Sequence, residues 1–415
     1  MSIATNTREK LRGIIAQIDQ LLLSDIPHSS TADGLGLFRE FFRKSEELVD
    51  RAQRTGQPNI LLNACMTANE RISTYLPFLG FLLRSTNVRN SFESFDILAE
   101  LAVAIIGPQS KVIIWSEWDF SPLTYALSVS VLPNYILIGM PASESGNALV
   151  LPLAGHELGH SVWVNDGLET KNATAVERSA REFIKRNDGL FKQAFPEHAH
   201  LSITDDEIIN NMFISQTVAN IVSCTLGQLE ETFCDAVGLA LFGKSFVYAF
   251  HYLLAPGVGG QRDPYYPPLH TRALFMRSHG ALDFGELGFT SFEMEFSSQR
   301  LSQSGPKSDF VIGAADHITN DFAPKMYSDA RNSVVTKATN MLPDKAVESE
   351  IIKLYSAGMP AKSPKSLANI LNAGWEFVVK NDFESKTGER PLFEWVSELI
   401  FKTIEVFEYE RRLNA

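Results

Sequence analysis

Residues 153–163 read LAGHELGHSVW, and this stretch decides how the rest of the chain is interpreted. On a helix, His156 and His160 lie one turn apart on one face, where both imidazoles can reach a single metal ion. Glu157, next to the first histidine, is placed to take a proton from a water that the metal polarises. The other residues of the stretch are uncharged, as a buried helix requires. The pattern predicts a helix that binds zinc.

A catalytic zinc needs a third protein ligand and an open position, so the chain must supply another side chain. Glu231 and Asp235 share one face of an apolar helical pattern. Glu231 is the expected ligand, while Asp235 accepts the second ring N–H of a ligating histidine and fixes its tautomer. Glu230 is the rival ligand, but the residue four positions later is Cys234 and not an acid. A solvated acidic helix face is the other alternative, although a carboxylate on an apolar face needs a partner.

These motifs resemble those of a known family. The pattern HExxH followed by ExxxD is similar to that of the gluzincin metallopeptidases. The segment YPPLHTR (266–272) resembles the H-P-[SP]-x-x-x-R element of the CAAX prenyl protease and membrane heat-shock peptidase family. The resemblance spans residues 150–277 and implies a zincin-like catalytic core, zinc as cofactor and hydrolysis of peptide bonds. It also implies that Arg272 braces the site.

Two residues are candidates for stabilising the oxyanion of the tetrahedral intermediate. Tyr266 stands where the family has a histidine that hydrogen-bonds substrate, and a phenol can donate a hydrogen bond to the same oxygen. His270 is the second candidate, and the alternative for it is a surface residue at the start of a helix. The sequence leaves this choice open.

Apolar periodicity predicts an α+β protein that is predominantly helical. We expect an N-terminal helical region over 1–105, a catalytic core over 106–282 and a C-terminal helical region over 283–415. The apolar stripe of the last helix needs cover from the body of the protein or from a second subunit.

Within the core, three short apolar runs predict a small β-sheet beside the HExxH helix. In similar peptidases an edge strand before this helix pairs with the substrate backbone, and YILIGM is the expected counterpart. The three runs are KVIIWSEW (111–118), TYALSVSV (124–131) and YILIGM (135–140).

Composition restricts the partners and the compartment. The net charge of -12 argues against a nucleic-acid surface, because phosphate contacts need clustered Lys and Arg. The three scattered cysteines lack zinc or redox spacing and indicate a reducing compartment. The N-terminus lacks the apolar core of a secretory signal, and Pro133 breaks the uncharged stretch 121–143 into a hairpin. We therefore expect a cytoplasmic protein with no membrane span.

Together these patterns predict a zinc metallopeptidase that acts on a protein or peptide. His156, His160 and Glu231 are expected to hold the metal, with Glu157 as general base. A zinc hydrolase of non-peptide amides would use the same chemistry. The alternative from another class is a catalytically silent, zinc-containing helical protein that binds partners. The helical flanks could also support a homo-oligomer.

Overall fold

Helices dominate the structure, a computed structural model in which helix accounts for 78% and strand for 3% of the chain. The predominantly helical class predicted from the sequence is confirmed, and the strand content is small. The chain divides into two compact units, one of residues 1–103 and 107–146 and the other of residues 104–106 and 147–415. The structure describes residues 3–24, 26, 28–84, 89–117, 123–124, 131–141, 144, 146–255, 261–296, 300–301, 305–381 and 391–414.

The first unit begins with helices whose apolar residues recur every three or four positions. Leu11, Ile15 and Ile18 of the first helix lie in one core with Phe38 and Phe42 of the second. This spacing places the apolar side chains on one face, which explains why the helices pack together. The helices are α1 (Ile3–Leu21), α2 (Ser29–Arg54), α3 (Pro58–Arg84) and α4 (Arg89–Ile105).

A small sheet completes the first unit, with strands β1 (Lys111–Glu117), β2 (Leu123–Thr124) and β3 (Tyr135–Pro141). β3 pairs in parallel with β1 along its whole length and antiparallel with β2 at Ile138 and Gly139. β3 is therefore the central strand, and the expectation that YILIGM forms an edge strand is wrong. Most of the predicted strand TYALSVSV lies outside the described residues. The zincin-like placement of this sheet beside the HExxH helix stays a prediction, as does the three-part domain division.

The second unit contains the HExxH helix and the residues that follow it. A 3-10 segment, Ala148–Leu153, leads into α5 (Ala154–Asn165), which carries the motif. Two short strands, β4 (Gln261–Arg262) and β5 (Arg300–Leu301), pair in parallel. The remaining helices are α6 (Leu168–Arg186), α7 (Asp188–Ala194), α8 (Asp205–Asn210), α9 (Met212–Phe242), α10 (Lys244–Leu254), α11 (Leu269–His279), α12 (Pro306–Ala338), α13 (Lys345–Ser356), α14 (Leu367–Lys380) and α15 (Leu392–Asn414).

α9 is the central helix of the second unit, since α5, α6, α11 and α12 all pack against it. It is apolar on most of its circumference, as a helix surrounded by others must be. On the α5 side, the rings of Trp163 and Phe233 lie 5.6 Å apart between centroids. The carboxylates on α9 are therefore held inside a packed helical layer.

α5 and α9 approach each other closely at two glycines of the motif. A Cβ atom on Gly155 would lie 2.9 Å from the Cα of Gly238, and one on Gly159 would lie 2.7 Å from the Cα of Cys234. Real Cβ atoms essentially never come this close to a backbone atom, so these two positions accept only glycine. Because the glycines precede His156 and His160 directly, they bring the histidine face of α5 against α9.

The C-terminal helices support the entry into α5. Trp375 of α14 donates a hydrogen bond from Nε1 to the carbonyl of Leu149 at 2.8 Å. Ser397 of α15 accepts one from the backbone N–H of Ala148 at 3.1 Å. Ile400 of α15 is fully buried. Its side chain packs so closely on Gly374 of α14 that a Cβ atom there would lie 2.6 Å from Cδ1 of Ile400. The apolar stripe of the last helix is thus covered within the chain.

Among the described helices, none is both long enough and apolar enough to cross a membrane. The longest, α12, carries charged residues along its whole length. α9 is strongly apolar, but it lies at the centre of a helical layer and carries the acids discussed below.

Gly159→Ala tests the close approach of the two helices. The added methyl group forces α5 away from Cys234, and overpacking of this kind costs about 1–3 kcal/mol of the free energy of unfolding. Denaturant unfolding measures the loss. Gly313→Ala is the control, because this exposed position in α12 has nothing within 4 Å of a new Cβ and should gain about 0.5–1 kcal/mol. Equal stability of the two variants would contradict the packing described.

Candidate metal centre

Two histidines of α5 and one glutamate of α9 converge at a single point. His156, His160 and Glu231 each offer a ligand atom, and these atoms all lie within 4.8 Å of one another. The Nε2 atom of His156 is 3.3 Å from Oε2 of Glu231, and Nε2 of His160 is 3.7 Å from Oε1. The exposed fractions of the three side chains are 12%, 11% and 7%. The structure therefore brings the three predicted ligands together in a nearly buried site.

The second nitrogen of each imidazole is held by a further acid of α9. Nδ1 of His156 donates to Oδ1 of Asp235 at 2.9 Å, and Nδ1 of His160 donates to Oε1 of Glu230 at 2.8 Å. A carboxylate can only accept, so each Nδ1 carries a hydrogen and directs the ring. Asp235 lies where the sequence predicted it.

The role of Glu230 was missed, since the sequence had considered this residue only as a rival ligand. The sequence did contain a signal for this role, because Glu230 stands directly before Glu231. Neighbouring residues of a helix point in directions about 100° apart. Glu230 is thereby directed towards the second histidine while Glu231 faces both rings. Each of the two histidines consequently has an acid of its own behind it.

Arg272 of α11 donates two hydrogen bonds to Asp235. Its Nε donates to Oδ2 and its Nη2 to Oδ1, both at 2.7 Å. The guanidinium is buried and also lies over the ring of Phe250, 5.3 Å from the centroid. Burial opposes the charged form of Asp235, but Arg272 and His156 outweigh it and lower the pKa of this carboxyl to about 2. Asp235 therefore stays ionised behind His156, braced by the arginine.

The donor set suits a divalent metal. Oε2 of Glu231 is buried and has no hydrogen-bond partner among the described residues. With hydrogens on both Nδ1 atoms, the Nε2 lone pairs of His156 and His160 face this carboxylate. Buried acceptors directed at one another are unfavourable unless a cation lies between them. Two imidazoles and one carboxylate are a common ligand set of catalytic zinc, and they leave a position open.

Protons are the alternative source of positive charge at this point. Burial opposes the charged form of His156, but its hydrogen bond to Asp235, and the one that a protonated Nε2 can donate to Glu231, raise its pKa to about 10. The pKa of His160 is also raised, since its bond to Glu230 outweighs burial. Metal-free protein therefore holds protons where a metal would bind.

Glu157 lies beside these ligands on α5, and only 3% of it is exposed. Burial raises the pKa of its carboxyl group, although the neighbouring histidines act in the opposite direction. A carboxyl with a raised pKa returns a proton that it has accepted less reluctantly than an ordinary glutamate does. Its position beside the ligands fits the general base predicted from the sequence, and that role stays a prediction.

The two predicted oxyanion residues occupy different surroundings. The charge of Glu231 is the largest cause that raises the pKa of Tyr266, followed by burial, so this phenol keeps its hydrogen close to the metal ligands. Nδ1 of His270 instead donates to the backbone carbonyl of Glu293 at 2.8 Å. The Nδ1–H of His270 is therefore already used in a hydrogen bond to the backbone.

Comparisons of the chain with models of known protein families, with curated proteins and with solved structures find no match. The family resemblance is therefore carried by short motifs alone. What can be argued about activity depends on the geometry of the site itself.

Zinc titration tests the ligand set. A ligand that binds only the folded protein stabilises it by about 2.7 kcal/mol at a free concentration one hundred times its dissociation constant. We expect zinc to raise the melting temperature of the wild type and not that of His160→Ala. His317→Ala is the control, because this histidine of α12 exposes 60% of its side chain and should leave the shift intact. An unchanged shift in His160→Ala would rule out the site.

Zinc binding should also release protons. The pKa of His156 in metal-free protein is raised to about 10, above an unfolded value of about 6.5. The stability this provides is complete below about 6.5 and is lost as the pH rises through about 10. At pH 7 the metal must displace a proton, so affinity falls as the pH is lowered. Calorimetry should give a binding enthalpy that changes with the ionisation enthalpy of the buffer, and a buffer-independent enthalpy would contradict the protonation described.

Proposed function

We propose that this protein is a zinc-dependent metallopeptidase. The observation that carries the proposal is the convergence of His156, His160 and Glu231, with the buried carboxyl of Glu157 beside them. A purely structural zinc site has four protein ligands and no need of an adjacent base. Three ligands, an open position and a base together favour hydrolysis.

Each step of the proposed hydrolysis is assigned to particular residues of the chain. A zinc ion held by the three ligands would supply a Lewis acid that polarises the substrate carbonyl and lowers the pKa of water to about 7. Glu157 takes a proton from the attacking water and returns it to the leaving amine, for which its raised pKa is suitable. Asp235, braced by Arg272, keeps His156 in the tautomer that presents Nε2.

Tyr266 is the better candidate for the oxyanion. Its phenol keeps a hydrogen that it can donate, and its pKa responds most strongly to the charge of Glu231. A single well-placed donor of this kind is worth about 10²–10³ in rate. His270 fits a supporting role, because its hydrogen bond to Glu293 fixes the start of α11, the helix that also carries Arg272.

Glu157→Gln separates catalysis from metal binding. Losing the base should lower the rate of peptide cleavage by about 10²–10⁴ while elemental analysis still finds one zinc per chain. A mixed peptide library read by mass spectrometry measures the cleavage. The control is Glu177→Gln, the same substitution at a partly exposed residue of α6 that does not belong to the site, and it should leave the rate unchanged.

The same measurements separate the rival functions. Full activity in Glu157→Gln would contradict the proposed mechanism. Bound zinc in a wild-type protein that cleaves no peptide would favour the silent, partner-binding alternative. Cleavage of small amides but not of peptides would favour a non-peptide hydrolase.

A further inference from the structure

A cavity of about 190 Å³ lies where α5, α6 and α9 meet. All of its walls belong to the second unit. It is lined by Trp163 of α5, Glu169 of α6, and Ser223, Leu226, Gly227 and Glu230 of α9.

The cavity adjoins the candidate metal centre. Glu230 lines it and also accepts the hydrogen bond from Nδ1 of His160 at 2.8 Å. Trp163 follows His160 by about one turn of α5, and Gly227 precedes Glu231 by about one turn of α9. The cavity therefore lies about one helical turn from the metal ligands along both α5 and α9.

Two carboxylates line the cavity, and of these only Glu230 has a basic partner, the Nδ1–H of His160. Within the part of the chain that the structure describes, neither Glu169 nor Glu230 forms an ion pair with a lysine or an arginine. Other acids of α6 do so, since Glu177 pairs with Arg181 and Glu182 pairs with Lys185. Glu230 uses only Oε1 for His160, so Oε2 is available to a ligand.

An organic cation suits these walls better than a metal ion does. The described residues that could hold a metal are His156, His160 and Glu231, and neither carboxylate of the cavity belongs to that group. Carboxylates beside an aromatic ring are the usual surroundings of a guanidinium or ammonium group. Leu226 gives apolar contact for the aliphatic part of a long basic side chain. The space is that of one large side chain.

We propose that this cavity binds an arginine or lysine side chain of the peptide held at the metal centre. The inference rests on the proposed peptidase function and deepens it by naming the class of substrate. Glu169 and Glu230 provide the charge, and Trp163 and Leu226 contact the rest of the side chain.

Binding of two matched probes to zinc-loaded Glu157→Gln protein tests the inference without any need for turnover. The probes are N-acetyl-arginine amide and N-acetyl-citrulline amide, which have nearly the same shape and differ in charge. We expect NMR titration to give at least about tenfold tighter binding of the arginine probe, the difference that a charged hydrogen-bonded pair commonly makes.

Two further substitutions locate the site within that protein. Glu169→Lys should abolish the preference, and Glu169→Gln should reduce it. Glu177→Lys is the matched control, because it changes the net charge equally on the same helix but does not line the cavity, and it should keep the preference. Retained zinc in each variant shows that the protein has folded.

Equal or undetectable binding of the two probes would overturn the inference, as would equal effects of Glu169→Lys and Glu177→Lys. Profiling of cleavage sites with active protein then distinguishes this failure from that of the proposed function. Cleavage with no basic residue at a fixed position from the cut would overturn the inference alone. An arginine preference in binding without cleavage of any peptide would contradict the peptidase and leave the cavity supported.

Discussion

The contact between the backbones of α5 and α9 is the constraint on which the site depends. Gly155 and Gly159 place the motif helix so near to Gly238 and Cys234 that no Cβ atom fits between them. At this separation, the short side chain of Glu231 reaches both imidazoles of the neighbouring helix. A larger separation would carry the carboxylate out of range of at least one ring. The close packing of the two helices thus sets the geometry of the site.

Charge compensation within the site follows from that packing. Each histidine has an acid behind it, and the acid behind His156 has Arg272 behind it in turn. Burying a carboxylate is costly unless it is paired and hydrogen-bonded, and Asp235 accepts from both partners. Oε2 of Glu231 lies 3.9 Å from Nη1 of Arg272 but has no hydrogen-bond partner among the described residues, so a further cation between it and the imidazoles would be favourable. Protons or a metal ion can supply this charge, and the choice between them couples metal binding to pH.

Most of what the sequence could predict about the site came from the spacing of residues along single helices. The four-residue interval of His156 and His160 depends only on helix geometry, and so does the shared face of Glu231 and Asp235. The hydrogen bond from His160 to Glu230 could not be predicted from spacing, because it depends on how α5 packs on α9. The glycines that precede the two histidines were visible in the sequence, yet the backbone they contact lies far along the chain. Packing across such separations has no periodic signal.

The fold was predicted in its class and less well in its details. Apolar spacing of three and four residues correctly indicated helices over most of the chain. The sheet was misjudged, since β3 lies between β1 and β2, whereas the resemblance to gluzincin peptidases had implied that YILIGM forms an edge strand. A short apolar strand has the same pattern in either place, and only its hydrogen-bonding partners distinguish them. The packing of α14 on the apolar face of α15 likewise could not be predicted, because it depends on tertiary contacts.

The most direct test of the central claim is X-ray absorption spectroscopy of the zinc-loaded protein at the zinc edge. The site described predicts a first shell of nitrogen and oxygen alone, with Zn–N distances of about 2.0–2.1 Å, and imidazole scattering from two histidines. A sulfur shell at about 2.3 Å would place the metal on cysteine instead. That result, or the absence of imidazole scattering, would contradict a centre built from His156, His160 and Glu231.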